Sequence, residues 1–347
     1  MLKISKAKHE QSRHHHCVSR GFVSVASTDQ SLEPEADGQP QTIAILGAGA
    51  WGSALASLAA IGGHEVRPWS RRSSLTLAEA IADCSIVVSA VSMKGVPETV
   101  DRLQAANLPQ NAVLVSATKG LDPATRLTPA QIWQAAFPDH AVVVLSGPNL
   151  SEEIRQGLPT ATVVASRDLA AATQVQSVFA SDRFRVYTNT DPMGTELGGT
   201  LKNVIAIAAG VCDGLHLGIN ARSALITRSL AEVIRIGTHL GAQPETFFGL
   251  SGLGDLMATC SSPLSRNYRV GFGLAQGKSL AQVLEELQST AEGVSTSNVL
   301  IDLASREGIA VPVSWQVYQV LNGKTTPQKA LAALMDRDLK AEAGDLF

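Results

Sequence analysis

A glycine-rich segment follows the first strongly apolar run of the chain. The run Thr42–Leu46 leads directly into a Gly-x-Gly-x-x-Gly pattern, which opens an alanine-rich stretch of helical character. In such a strand-loop-helix unit, Gly47 permits a tight turn, Gly49 lets the backbone approach a diphosphate, and Gly52 lets the helix pack closely on the strand. The diphosphate then lies at the N-terminus of the helix. The segment therefore predicts a dinucleotide-binding loop.

The second apolar run, Glu65–Trp69, continues into Ser70-Arg71-Arg72, where NAD-selective sites usually carry an acidic residue. An acidic side chain binds the ribose hydroxyls of NAD, whereas Arg71 and Arg72 offer charge-assisted hydrogen bonds to the 2′-phosphate of NADP. Pairs of surface arginines are also common as solvated charges. We predict NADPH as the preferred cofactor, with NADH as the second.

Two lysines occupy positions that favour ligand binding or proton transfer. Lys119 follows the apolar run 112–116, so we expect it at the carboxyl edge of a sheet, where open α/β folds bind their ligands. Lys202 lies among small and apolar residues on a predicted helix. Burial there would lower its pKa and suit it to proton transfer near neutral pH. The alternative for Lys202 is an ordinary solvated lysine.

The elements that must position these residues alternate along residues 41–190. Apolar runs typical of strands occur at 42–46, 65–69, 85–89, 112–116, 141–145, 161–165 and 184–187, and helical patterns lie between them, for example at 52–61 and 127–137. Nearly continuous apolar strands separated by helices predict an α/β domain with a doubly wound, Rossmann-like parallel sheet. After Asp191 and Pro192, an N-cap followed by proline, strand patterns stop. We therefore predict an all-helical C-terminal domain over residues 191–347.

The first 40 residues lack apolar periodicity and contain His9, His14, His15 and His16. We predict a disordered N-terminal extension there, with metal binding by the histidines and an organellar transit segment as alternatives. The whole chain of 347 residues exceeds what one hydrophobic core usually serves. Two domains and a tail are the expected organisation.

Composition and charge favour neither nucleic acid nor a membrane as a partner. The formal net charge is −3 and the sequence pI is about 6.2, so no global positive field is expected. No apolar run approaches the ~20 residues that span a bilayer. The four cysteines, Cys17, Cys84, Cys212 and Cys260, form no Cys-x-x-Cys pair and lie at no metal-binding spacing from histidine. We predict a cytoplasmic protein with reduced thiols and no metal site, and leave a homodimer open.

Further segments resemble, in chain order, the bacterial type of NAD(P)-dependent sn-glycerol-3-phosphate dehydrogenases. These segments are Ala117-Thr118-Lys119-Gly120, Ser146-Gly147-Pro148, Gly198-Gly199-Thr200-Leu201-Lys202-Asn203-Val204-Ile205-Ala206-Ile207, Gly252-Leu253-Gly254-Asp255-Leu256, Ser265-Arg266-Asn267 and Ala291-Glu292-Gly293. Together with the glycine loop, the resemblance covers about residues 42–340. An ordered series of this kind is far more specific than any single motif.

The resemblance implies the reversible reduction of dihydroxyacetone phosphate to sn-glycerol 3-phosphate, which supplies the backbone of glycerophospholipids. It implies that Lys202 is the general acid in reduction and the base in oxidation. Lys119 would stabilise charge on the reacting oxygen, and Asp255 would orient or charge-balance Lys202. The implied substrate-binding residues are Lys119, Gly147, Asn149, Lys202, Asn203, Asp255, Ser265, Arg266 and Asn267, with Thr259 as a further candidate. The expected cofactor-binding residues are Gly47, Gly49, Ala50, Trp51, Gly52, Arg71, Arg72, Lys119, Ser151, Arg266 and Glu292.

The chain departs from the family pattern at two places. Only residues 73–83 separate the second strand from the third, where family members usually carry a longer segment, and Asn149 stands where a small hydroxyl residue is commoner. Single site residues also have plainer interpretations: Asp255 as a helix cap, Arg266 as part of a surface ion pair, and Glu292 as an exposed helix residue.

Two other functions compete with the dehydrogenase. A hydroxy-acid or ketopantoate-type reductase would use a single arginine to hold a carboxylate. Lys119 together with Ser265-Arg266-Asn267 favours a phosphorylated triose instead. A non-catalytic NADPH-binding sensor would be expected to lack Lys202 or Asp255, and both are present.

Overall fold

Seven strands form one sheet in the order β2-β1-β3-β4-β5-β6-β7 in the computed structural model, which describes residues 39–339 and 341–342. The strands are β1 (Thr42–Leu46), β2 (Glu65–Trp69), β3 (Ile86–Ser89), β4 (Val113–Ser116), β5 (Val142–Ser146), β6 (Thr160–Ala165) and β7 (Phe184–Asn189). The helices between them are α1 (Ala50–Ile61), α2 (Leu77–Ile81), α3 (Val96–Gln104), α4 (Pro129–Ala136), α5 (Ser151–Arg155) and α6 (Leu169–Phe179). All the predicted strands are present, and their ends differ from the predicted ends by at most two residues.

The predicted doubly wound parallel sheet is confirmed, with one antiparallel pair of strands as the exception. Strand β6 runs antiparallel to β5, and β7 is parallel to β6, so the last two strands oppose the first five. The connection from β5 to β6 holds only the five-residue helix α5. Antiparallel neighbours need no connection that crosses over the sheet. The chain therefore turns back at the same edge of the sheet.

Apolar side chains cover both faces of the sheet, as the doubly wound prediction requires. Ile43 and Ile45 pack with α1 and α6 on one face, whereas Ala44 and Leu46 pack on the other face with residues such as Trp133 of α4. This alternation is the two-residue period of a strand whose two faces are both buried. The sheet is thus a rigid platform whose carboxyl edge presents the loops that follow the strands.

The described residues after Asn189 contain no strand, which confirms the predicted helical C-terminal part. The helices are α7 (Pro192–Gly214), α8 (Gly218–His239), α9 (Asp255–Ser261), α10 (Arg266–Ala275), α11 (Leu280–Leu287), α12 (Glu292–Glu307), α13 (Pro312–Leu321) and α14 (Pro327–Met335). Helix α7 is 23 residues long and buried nearly all round, because the other helices and the sheet edge surround it. It is the central element of this part.

Several expectations concern residues that the structure does not describe. The extension of residues 1–40 lies almost entirely outside the described residues, together with its histidines and Cys17.

Cys84, Cys212 and Cys260 are buried free thiols. Within residues 39–339 and 341–342, no group of His, Cys, Asp and Glu could hold a metal ion. In the same ranges, no helix is long and apolar enough to cross a bilayer.

The predicted N-cap Asp191 lies at the start of the helical part and binds two of its segments. Its Oδ1 accepts a hydrogen bond from the Gly194 amide at 2.9 Å. Its Oδ2 accepts hydrogen bonds from the Gln243 amide at 2.9 Å and from Thr246 Oγ1 at 2.8 Å. The residue is only 5% exposed. Asp191 therefore caps α7 and also satisfies donors of the segment that follows α8.

We predict that Asp191→Ala lowers the free energy of unfolding by about 2–4 kcal/mol, because it removes a cap and leaves buried donors without acceptors. Asp168→Ala is the matched control, since Asp168 caps α6 through the Ala170 and Ala171 amides but is exposed. Its expected cost is about 1 kcal/mol. Urea unfolding measures both values, and equal losses in the two variants would contradict the prediction.

Candidate active site

The glycine loop between β1 and α1 has the shape of a diphosphate site. Gly47 has φ +120°, and a Cβ there would lie 2.7 Å from the Ala90 carbonyl oxygen. A Cβ on Gly52 would collide with the Gly47 carbonyl, so the helix packs directly on the loop. By contrast, no atom lies within 4 Å of the position that a Cβ on Gly49 would take. Gly49 is the N-cap of α1 and provides no side-chain cap. Open space beside the first-turn amides of Ala50 and Trp51 fits a bound diphosphate.

The residues expected to hold the adenosine end lie in the neighbouring loop. The Gly47 amide donates to the Trp69 carbonyl at 2.8 Å, so the end of β2 lies beside the glycine loop. Arg71 and Arg72 follow and are both exposed. Arg71 Nη1 pairs with Glu98 Oε2 at 3.2 Å. The short segment after β2 forms only the five-residue helix α2, as its length predicts.

Two lysines and one carboxylate form a cluster where the sheet meets the helices. Lys119 lies just beyond β4, at the carboxyl edge as predicted, and its Nζ donates to Asp255 Oδ2 at 2.6 Å. Lys202 Nζ donates to the other oxygen of the same carboxylate, Oδ1, and to Thr259 Oγ1 at 2.6 Å. The structure therefore brings together four residues from three segments that are distant in sequence. Asp255 begins α9 with Gly254 as the N-cap, and its carboxylate binds lysines, so the helix-cap interpretation is wrong.

Burial controls the charge of Lys202. The residue is 7% exposed, and this desolvation lowers its pKa to about 7 from the usual value of 10.5. The carboxylate of Asp255 opposes the shift, whereas the positive charge of Lys119 adds to it. The predicted burial of Lys202 and the predicted direction of its pKa shift are both confirmed. An amine in this environment exchanges a proton near neutral pH.

Close packing of α7 allows the two lysines to meet. A Cβ on Gly199 would collide with Ser146 Oγ at the end of β5 and would lie 3.2 Å from Lys119 Cε. The absent side chain therefore lets the backbone of α7 approach the sheet edge. Lys202 follows one turn later on the same helix face, since residues three or four apart share a face.

A second group of polar residues lies next to Lys202. Asn267 Nδ2 donates to Asn203 Oδ1 at 2.9 Å, and Asn267 Oδ1 accepts from the Gly293 amide at 2.9 Å. Ser265 is the N-cap of α10, and its hydroxyl accepts from the Tyr268 amide at 3.2 Å. Arg266, the first residue of α10, is exposed. The three residues Ser265, Arg266 and Asn267 thus lie together at the N-terminus of α10.

Glu292 is less exposed than an ordinary surface helix residue. Burial raises its pKa, and the positive charge of Arg266 and a hydrogen bond with the Met93 backbone oppose that shift. Met93 belongs to the segment that follows β3. Glu292 therefore links the start of α12 to the carboxyl edge of the sheet, between the glycine loop and Lys119.

The loop after β5 lies on the other side of Lys119. Lys119 Nζ donates to the Gly147 carbonyl at 3.3 Å. Asn149 Nδ2 donates to Thr162 Oγ1 at 2.9 Å, and its Oδ1 is buried without a hydrogen-bond partner among the described residues. Ser151 begins α5. Gly147 thus contacts the lysine cluster directly, whereas Arg71 and Arg72 are separated from it by the strands β1 and β3.

Sequence reasoning missed two buried residues of α7. Thr200 Oγ1 accepts from the Gly120 amide at 3.0 Å, next to Lys119. Glu196 is 2% exposed, and its Oε1 accepts from Ser116 Oγ at 2.9 Å. The signal for Glu196 was present, because it is an ionisable residue among small and apolar neighbours, the same pattern that identified Lys202.

A dinucleotide loop on a doubly wound sheet, next to a buried lysine–carboxylate cluster, defines a nicotinamide-dependent dehydrogenase. Residues 191–332 match the model of the NAD-dependent glycerol-3-phosphate dehydrogenase C-terminus. Residues 42–76 and 72–172 match the model of the N-terminus of the same enzymes in two parts, which overlap in the short segment after β2. The chain therefore belongs to the NAD-dependent glycerol-3-phosphate dehydrogenase family.

Individual relatives agree with this family. The glycerol-3-phosphate dehydrogenase [NAD(P)+] of Acaryochloris marina is 64% identical over 305 residues, which cover 88% of this chain and 98% of the relative. That of Synechocystis sp. is 61% identical over 310 residues, covering 89% and 98%. The crystal structure of glycerol-3-phosphate dehydrogenase from Coxiella burnetii aligns with a TM-score of 0.82 at 33% identity, covering 86% of this chain and 99% of that one.

A ketopantoate reductase family structure from Ralstonia eutropha is more distant. It aligns with a TM-score of 0.53 at 14% identity, covering 83% of this chain and 99% of that chain. Such a likeness shows a shared fold alone. It does not favour the ketopantoate-type alternative.

We predict opposite shifts of the Lys202 pKa in two variants of its partners. Asp255→Asn lowers the pKa below about 7, because the variant removes the negative charge that favours the ammonium form. Lys119→Met raises it, because a neighbouring positive charge is lost. The 13C NMR shift of the Lys202 Cε atom, followed against pH, measures both changes. The exposed Lys278 is the internal control, and shifts of the same sign in both variants would contradict the electrostatic account.

Proposed function

We propose that this chain catalyses the reversible reduction of dihydroxyacetone phosphate to sn-glycerol 3-phosphate with NAD(P)H and so supplies the backbone of glycerophospholipids. The cluster of Lys119, Asp255 and Lys202 is the observation that supports the proposal most strongly. It lies beyond β4, while the loop expected to hold the cofactor lies beyond β1 at the same edge. The family to which the chain belongs carries out the same chemistry.

Lys202 is the proposed proton donor. A nicotinamide, when bound, would supply the hydride for reduction of the central carbon of the substrate and would accept it in oxidation. Lys202 Nζ donates a proton to the oxygen on that carbon in reduction and removes it in the reverse direction. A pKa of about 7 makes both forms of the amine available near neutral pH. Asp255 holds the amine in place and keeps its charged form accessible.

Lys119 is proposed to stabilise the developing negative charge on the same oxygen. Its ammonium is held between Asp255 Oδ2 and the Gly147 carbonyl, so it is already oriented before the substrate binds. A preorganised charge of this kind contributes most to catalysis when it need not move during the reaction. Thr259 is proposed to orient Lys202 through the contact between their polar atoms.

The substrate phosphate is proposed to bind at the N-terminus of α10. Arg266 offers a planar fork of donors, and Asn203 and Asn267 offer neutral amides. The N-terminus of a ten-residue helix adds a favourable field for an anion. The Ser265 hydroxyl is the N-cap of this helix, so its proposed role is to present the first-turn amides.

The cofactor is proposed to lie along the carboxyl edge of the sheet. Gly47, Gly49 and Gly52 form its diphosphate loop, with Ala50 and Trp51 in the first turn of α1. The remaining proposed contacts are Arg71 and Arg72 at the 2′-phosphate, Gly147, Asn149 and Ser151 at the nicotinamide side, and Lys119, Arg266 and Glu292 at the junction with the helices.

We keep residues 41–190 and 191–347 as the proposed domains. The buried free thiols are consistent with a reducing, cytoplasmic location, which we also propose.

Replacing Lys202 tests the proton donor and the substrate together. We predict that wild-type protein oxidises NADPH with dihydroxyacetone phosphate but not with unphosphorylated dihydroxyacetone or 2-oxo acids. Lys202→Ala should lower kcat by at least about a hundredfold, because no other group replaces the donor. NADPH absorbance gives the rates, and Lys278→Ala, at an exposed ion pair, is the control that should stay active. Comparable turnover of a 2-oxo acid, or an active Lys202→Ala variant, would refute the assignment.

The arginines after β2 should determine the preference for NADPH. We predict that the double variant Arg71→Ala/Arg72→Ala loses at least about tenfold in kcat/KM for NADPH, while kcat/KM for NADH changes by less than about twofold. Arg102→Ala is the control, because Arg102 also binds Glu98 but lies outside the loop. A wild-type preference for NADH, or equal losses with both cofactors, would overturn this role.

A further inference from the structure

Glu196 is a buried ionisable residue to which the reaction assigns no step. Its Oε1 accepts from Ser116 Oγ and from the Ala130 amide, both at 2.9 Å, and its Oε2 lies 3.2 Å from the same amide. Thr128, the N-cap of α4, also forms a hydrogen bond with the carboxyl group. In the part of the chain that the structure describes, Glu196 forms no ion pair with a lysine, arginine or histidine. Its partners are thus all polar and uncharged.

These contacts join the two segments that carry the reactive lysines. Glu196 lies on α7, which also carries Lys202, whereas Ser116 ends β4, shortly before Lys119. The bond between Thr200 Oγ1 and the Gly120 amide is a second link between the same two segments. Glu196 and Thr200 are four residues apart on the helix and therefore lie on one face. The segment that carries Lys119 is therefore held to α7 at two points, one on each side of Lys119.

We propose that Glu196 is a positioning residue, whose buried carboxyl group holds α7 against the end of β4 and so sets the separation of Lys202 and Lys119. The inference rests on the proposed function, since Glu196 contacts neither substrate nor cofactor. A displacement of about 1 Å in a catalytic group can lower the rate about a hundredfold, so a fixed separation between the lysines has a large kinetic value.

The role requires hydrogen-bond acceptors rather than a negative charge, because the described partners of Glu196 are hydroxyl and amide groups. Burial raises the pKa of Glu196 to about 7, and hydrogen bonds from Thr128, Ala130 and Ser116 only partly oppose the shift. Glutamine keeps an oxygen that accepts from Ser116 and Ala130, so it should replace Glu196 well.

Glu232 provides a matched control elsewhere in the same fold. It is 3% exposed, and its carboxyl group accepts from the Val313 amide at 2.6 Å and the Ser314 amide at 3.1 Å at the start of α13. Burial raises its pKa as well. Glu232 therefore resembles Glu196 in burial and in hydrogen bonding to a helix N-terminus, although the charge of Arg235 also acts on it. It holds no segment of the lysine cluster.

The test compares Glu196→Ala, Glu196→Gln and Glu232→Ala in steady-state kinetics and thermal unfolding. We expect Glu196→Ala to lower kcat for dihydroxyacetone phosphate at least about tenfold, with KM changed less than about threefold. Glu196→Gln should stay within about threefold of wild type in kcat. Glu232→Ala should lose comparable thermal stability and keep kcat within about twofold.

Each other outcome has a defined meaning. An unchanged kcat in Glu196→Ala, equal kcat losses in both alanine variants, or no rescue by glutamine would overturn the positioning role. If Glu196→Ala does not fold, Ser116→Ala removes only the hydroxyl between Glu196 and β4, and it should lower kcat at least about threefold; an unchanged kcat there overturns the role as well. Wild-type protein that fails to reduce dihydroxyacetone phosphate would refute the proposed function, whereas an active wild type with an active Glu196→Ala refutes this inference alone.

Discussion

A buried ammonium group is the constraint on which the site depends. Lys202 is largely removed from water, and an isolated charge in such a place is very costly, so it must either lose its proton or find a carboxylate. Asp255 is that carboxylate, and its two oxygens bind two lysines from different parts of the chain. One side chain on α9 therefore connects α7 with the loop after β4. The proposed catalysis and the contact between sheet and helices use the same interaction.

Helix α7 carries a second buried carboxyl group, that of Glu196, which has different surroundings from Asp255 on α9. Asp255 is next to two ammonium groups, which stabilise a negative charge, whereas Glu196 has only hydroxyl and amide partners. Burial penalises a charge that no opposite charge compensates, and it raises the pKa of Glu196. Asp255 pairs with the lysines of the cluster, whereas Glu196 binds only hydroxyl and amide donors behind it. Because Gly199 has no side chain, the backbone of α7 lies close to the sheet edge, and both Lys202 and Glu196 can reach their partners there.

The alternation of apolar runs was sufficient to predict all seven strands and the helical second part, because burial on both faces of a sheet leaves a direct trace in sequence. The direction of β6 leaves no such trace, since a buried strand has the same composition in either direction. Lys119 and Lys202 could be singled out by their neighbours, but the shared carboxylate depends on how α7, α9 and β4 pack. Glu196 was overlooked although its neighbours resemble those of Lys202. Asp255 could not be distinguished from a helix cap by local pattern, since both occur after glycine-rich turns.

Strand order explains why these separate segments serve one reaction. The loops after β2, β1, β3, β4 and β5 follow one another along the carboxyl edge, and they carry, in that order, Arg71, the glycine loop, Met93, Lys119 and Gly147. Neighbouring strands are about 4.8 Å apart, so the loops after β2 and β4 are separated by roughly 14 Å, a distance that an extended dinucleotide can span. The glycine loop lies at the point where the strand order reverses, which is where open α/β sheets bind their ligands. A cofactor with its 2′-phosphate at Arg71 and its diphosphate at Gly49 would have its nicotinamide directed toward Lys119. In the proposed reaction, the helices then contribute the proton from Lys202 on α7 and the phosphate site at the start of α10.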